Sequence, residues 1–94
     1  MTRAAFDESL ATNQPPAGAS VYLQALWHDA KGDWDNAHQL IQDLHDKNAA
    51  WIHAYLHRKE GDVWNADYWY RNAGKKRPAV SLHEEWEQLV SAFL

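Results

Sequence analysis

A chain of 94 residues carrying six Trp, four Tyr and two Phe makes one domain whose modest core is filled efficiently by large rings, each burying roughly 150–250 Å². It has no cysteine, which excludes disulfides and thiolate metal sites and suits a reducing compartment, the cytoplasm being the default expectation. A formal net charge of −4 with no long basic block argues against nucleic acid as a partner, because affinity for a duplex comes largely from phosphate neutralisation.

Read in chain order, residues 1–19 carry a possible short helix through Ala4, Ala5, Phe6 and Leu10 before Pro15, Pro16 and Gly18 cut it off. Asp7 and Glu8 stand where a secretory signal would need an apolar core, and no apolar run approaches the roughly 20 residues that span a bilayer. The expectation is a soluble chain with no membrane partner. Ser20 is a plausible N-cap for a helix in which Leu23, Leu26, Trp27 and Ala30 follow helical spacing until Gly32. Asp33 caps the next, with Trp34, Ala37, Leu40, Ile41 and Leu44 as one apolar stripe that fades at His45. Trp51, Ile52, Tyr55 and Leu56 belong to a fourth helix ending at Gly61, and Ala66, Trp69, Tyr70 and Ala73 to a fifth ending at Gly74. Ser81 and Glu84 form a capping-box pattern ahead of Trp86, Leu89, Val90 and Phe93. No segment alternates β-branched residues, so the chain reads as all-α with five or six helices.

Residues 22–44 laid on 51–73, an offset of 29, match Ala25 with Ala54, His28 with His57, Gly32 with Gly61, Asp33 with Asp62, Asn36 with Asn65 and Ala37 with Ala66. The shared Gly-Asp-x-x-Asn-Ala is a turn: Gly ends one helix in the left-handed region, Asp caps the next, and Ala admits a close helix approach. Gly61, Asp62, Ala66, Tyr70, Ala73 and Pro78 fall at the spacing of a tetratricopeptide repeat's turn, second helix and closing proline, and the first copy, with Gly32, Asp33, Trp34, Ala37, Ile41 and Leu44, resembles it too. The resemblance covers about residues 20–78, although the offset is shorter than that repeat's 34 residues and the first copy lacks the proline. It implies two tetratricopeptide-like hairpins, with 79–94 as a C-terminal capping helix. Residues 51–61 and 65–74 also look similar to a group of small bacterial proteins that carry no assigned activity.

His53 and His57 are i and i+4 on one helix, and Glu60 adds i+7, so three potential ligands for a divalent ion share a face. The bland alternative packs His28 and His57 as equivalent residues, each five positions before a turn aspartate to which the ring could donate a hydrogen bond. No phosphate loop, HExxH pattern or nucleophile elbow occurs, so neither catalysis nor a cofactor is expected. Arg71, Lys75, Lys76 and Arg77 sit at a helix C-terminus, where cations are favourable in any case; RNA contact with Trp64 and Tyr68 is the other use for them.

At 100° per residue, Trp51, Tyr55 and Arg58 lie within about 60° of one another on the fourth helix, with Tyr22, Leu26 and Asp29 as their counterparts. The tetratricopeptide resemblance implies that Tyr22, Asp29, Trp51, Tyr55 and Arg58 line a concave, peptide-receiving groove, unless a terminal helix fills it. Trp64 and Tyr68 align with Asp35 and Gln39, polar positions of the first copy, and so have no structural duty; they either meet Trp86 or stay exposed. The expected function is a non-catalytic module that binds a protein or peptide, or another copy of itself. The alternative is a small-ligand or divalent-metal protein centred on His53, His57 and Glu60.

Overall fold

A computed structural model describes residues 1–94 as six helices with no strand: α1 Arg3–Ser9, α2 Val21–Ala30, α3 Trp34–Ile41, α4 Lys47–Glu60, α5 Val63–Asn72 and α6 Leu82–Phe93. The caps are the local chemistry that sets these bounds. Ser20, Asp33, Asp62 and Ser81 each accept a backbone N–H from the residue three positions on, at 3.1–3.3 Å. Asp46 does the same for α4 through Ala49 at 3.2 Å, so the polar stretch after His45 is the start of a helix as well as the end of a stripe. Leu44, expected on the third helix, lies beyond its end at Ile41 and packs against the core from the following turn.

The two copies of the repeat fold alike. Gly32 and Gly61 have φ of 81° and 89°, and the amides of Asp33 and Asp62 donate to the carbonyls of His28 and His57 at 2.9 and 3.0 Å, which closes the α2–α3 and α4–α5 turns identically. Ala25, Ala54, Ala37 and Ala66 are all fully buried; these methyl-sized positions are what let the paired helices approach.

The main core joins Phe6, Leu23, Leu26, Trp27, Ile41, Ile52, Tyr55, Leu56, Trp86, Leu89 and Val90, with contributions from α1, α2, α3, α4 and α6. A smaller cluster of Ala54, Ala66 and Tyr70 seals α4 against α5. Helix α6 lies over the first helices of both hairpins. Its Trp86 Nε1 donates to the Leu26 carbonyl at 3.1 Å, and the Phe6 ring of α1 lies 6.1 Å from Trp86. Arg3 and Glu87 tie α1 to α6 at 2.6 Å. No helix is long and apolar enough to cross a membrane.

Candidate functional site

The face carrying Trp51, Tyr55 and Arg58 does align with that of Tyr22 and Asp29, and α6 packs over both through Glu85 and Phe93, leaving a cavity of about 520 Å³ beside Asp29 and Tyr55. Tyr55 and Asp29 are 2% and 3% exposed. The Tyr55 hydroxyl donates to Asp29 Oδ2 at 2.7 Å, and Lys59 Nζ holds the other carboxylate oxygen at 2.8 Å. Burial, followed by the Asp29 charge, raises the Tyr55 pKa far above the ordinary phenol value. Phe93 sits 5.0 Å from the Tyr22 ring and 6.0 Å from Trp51, and the Tyr22 hydroxyl donates to Asp46 at 2.7 Å.

Glu85, fully buried on α6, is the hub of this region. Its oxygens accept from Tyr70 Oη at 2.7 and 2.8 Å, Arg58 Nη1 at 2.8 Å and Trp51 Nε1 at 3.2 Å, while Arg58 Nη2 donates to the Val80 carbonyl. Of the two outcomes expected for Tyr22, Asp29, Trp51, Tyr55 and Arg58, an open groove or one covered by a terminal helix, the structure has the covered one: Asp29 and Tyr55 are buried and Tyr22, Trp51 and Arg58 half-buried, and the acid that answers Trp51 and Arg58 comes from the C-terminal helix.

The histidines converge more closely than their spacing along α4 implies. His53 and His57 are 5% and 6% exposed, and half-buried His38 of α3 faces them, its Nε2 lying 3.0 Å from His53 Nε2. One imidazole nitrogen from each of the three lies within 4.8 Å of the others. Two tryptophans wall the cluster: Trp34 stacks on His38 at 4.9 Å and 9°, and Trp69 on His53 at 4.0 Å and 18°. Glu60 accepts from His57 Nδ1 at 2.7 Å, so it supports a histidine and does not complete a triangle with His53. The turn aspartates are not the histidines' partners; His28 Nδ1 lies 3.4 Å from Asn36 Nδ2.

Burial, then the charges that His57 and His38 would carry, push the His53 imidazole down to about 3. Burial also lowers His38, against the opposing pull of Glu60 and Asp35. An unfolded histidine titrates near 6.5, so the folded value is depressed: the stabilisation is complete above about pH 6.5 and is lost progressively as pH falls towards 3. His53→Phe, which keeps a ring on Trp69, should reduce the stability lost between pH 6.5 and 4 by roughly 2–3 kcal/mol. Urea midpoints measured across that range check this, and an unchanged slope would mean that His53 protonates freely in the fold.

The outer face of α5 is different in kind. Trp64 is 78% exposed and Tyr68 44% exposed, with Val63 also open beside them; neither ring reaches Trp86, which belongs to the core. Trp64, Tyr68 and Arg71 fall within about 60° of one another on this helix. At its C-terminal end, Arg71 of the last turn and Lys75, Lys76 and Arg77 beyond it line a cleft of about 300 Å³ with Asp67 and Tyr70. Arg77 pairs with Asp67 at 3.0 Å and Lys75 stands 4.1 Å over the Trp51 ring, whereas Arg71 and Lys76 form no ion pair. This surface was legible in part: the repeat alignment isolates Trp64 and Tyr68 as rings without a packing counterpart. Comparison with family models, curated proteins and solved structures finds no match for this chain.

Proposed function

We propose that the protein is a non-catalytic interaction module that receives an acidic, apolar-bearing peptide segment of a partner protein across the outer face of α5. The observation that carries this reading is the pair Trp64 and Tyr68, open to solvent in a chain whose other five tryptophans are half-buried or buried. Aromatic residues with Arg are the usual anchors of interfaces. Charge complementarity selects the partner's chemistry. The stripe ends in cations that no acid of this chain neutralises, Arg71 and Lys76, although the chain as a whole is acidic at −4. Such a local reversal favours a short acidic segment over a long polyanion, which the remaining surface would repel.

Fluorescence anisotropy with a labelled peptide of alternating Glu and Leu or Phe tests this, alongside the same peptide with Lys in place of Glu and a single-stranded oligonucleotide. The acidic peptide should bind in preference to both. Trp64→Ser with Tyr68→Ser should weaken it by roughly tenfold or more while shifting the melting temperature by less than about 3 °C, since surface substitutions are near neutral. Equal binding by the double variant would overturn the reading. A preference for the oligonucleotide would move the surface to nucleic-acid contact, and a concentration-dependent dimer lost in the double variant would make a second copy the occupant.

A further inference from the structure

The three-histidine cluster between α3 and α4 is separate from the α5 face and serves no part of that reading. A purely packed layer would be better served by apolar rings here. His53 Nδ1 is buried with no hydrogen-bond partner, and an orphaned buried polar atom costs about 1–3 kcal/mol that a phenylalanine would not incur. The imidazoles therefore call for a use beyond filling space.

We propose that His38, His53 and His57 form a three-imidazole site for a borderline divalent transition metal of the zinc type, with a fourth position open to water. Imidazole suits zinc, copper and nickel, and three protein nitrogens plus one open position is an established zinc arrangement. At metal–nitrogen distances of about 2.0–2.1 Å, tetrahedral ligand nitrogens stand about 3.3 Å apart. His38 and His53 are already at 3.0 Å, and the remaining separations, none above 4.8 Å, need to close by at most about 1.5 Å to meet that spacing.

The surroundings are those of a ligand set. Glu60 accepts a hydrogen bond from His57 Nδ1–H, which fixes the tautomer and leaves Nε2 with its lone pair, as a carboxylate behind a metal-bound histidine does. Trp34 and Trp69 hold the planes of His38 and His53, and Trp34 is itself anchored by its Nε1 donating to the Leu56 carbonyl at 2.8 Å. His38, the least buried of the three, gives the route by which an ion and its water enter. The site comes from two helices of adjacent hairpins, so an ion there would also clamp α3 to α4.

Isothermal titration of zinc into protein stripped with a chelator is the test, with cobalt(II) absorption as a second reading of geometry. We expect one ion per chain, an intense visible cobalt band typical of low coordination number, and a melting temperature that rises with zinc. His38→Gln, the mildest of the ligand changes, should abolish the cobalt band, and Glu60→Gln should lower zinc affinity about ten- to hundred-fold without abolishing it. His45→Ala and His83→Ala, at exposed positions, should change nothing. Absence of saturable zinc heat, or affinity equal in wild type and His38→Gln with both proteins folded by circular dichroism, would overturn the proposal.

Discussion

Glu85→Ala should cost about 3–5 kcal/mol, a large share of the roughly 5–15 kcal/mol that holds a domain of this size together. The carboxylate is fully buried and answers three donors from two other helices: Arg58 and Trp51 of α4 and Tyr70 of α5. Removing it leaves a guanidinium only 17% exposed without its counter-charge, a buried phenol without an acceptor and an indole N–H facing a void. The three penalties act together, since the donors converge on one group. Glu85→Gln keeps the shape and should cost less, about 1–3 kcal/mol, because an amide still accepts one bond but cannot balance Arg58. An apolar substitution at 85 alone should not rescue stability, whereas Glu85→Leu with Arg58→Met and Tyr70→Phe removes the charged and phenolic orphans, leaving the Trp51 indole N–H and the Val80 carbonyl unpartnered, and should recover part of it. Urea unfolding followed by far-ultraviolet circular dichroism measures all three. A Glu85→Ala protein as stable as the parent would mean that the hub is decorative.

How much of this was legible in the sequence depends on the range of the interaction. Ser20, Asp33, Asp62 and Ser81 could be read as caps because a cap acts on a neighbour three residues away, and the turns at Gly32 and Gly61 could be read because the motif repeats. Asp46 was hidden: an Asp in a polar run has the same local signature in a loop and at a helix start. Glu85 stands beside Glu84 in what looks like an exposed first turn, and only the arrival of Arg58, Trp51 and Tyr70 from earlier in the chain makes it interior.

The same boundary divides the candidate sites. Spacing placed His53 and His57 on one face, because i and i+4 is a property of one helix. It could not supply His38, which reaches them across a helix pair and aligns in the repeat with Asp67, so no internal copy drew attention to it. Nor could it say what covers Trp51, Tyr55 and Arg58. The helix-face geometry was sound, and the occupant of that face was a matter of tertiary packing. Trp64 and Tyr68 were the reverse case. Their polar counterparts in the first hairpin left two outcomes, contact with Trp86 or exposure, and tertiary packing decides for exposure.

Tyr55→Ala combined with Arg58→Ala should accordingly unfold the protein, a result that an open groove on that face would not give. Truncating Tyr55 removes a ring that is 2% exposed, a change of about 3–5 kcal/mol when a large aromatic leaves a core, and also strands Asp29 beside Lys59 alone. Removing Arg58 leaves Glu85 charged, buried and uncompensated by any other cation, at about 3–5 kcal/mol. The two sites are one helical turn apart and share the layer under α6, so the losses need not add, but either approaches the lower end of a small domain's stability. Loss of helical signal at 25 °C, or a melting temperature depressed by more than about 15 °C, is the expected outcome. Trp64→Ser with Tyr68→Ser provides the contrast on the same instrument, because those rings bury little and should leave the melt nearly unchanged. If instead the Tyr55 and Arg58 pair can be removed from a chain that stays folded, α6 does not hold the trough closed in solution, and the aromatic face beneath it becomes available to a partner.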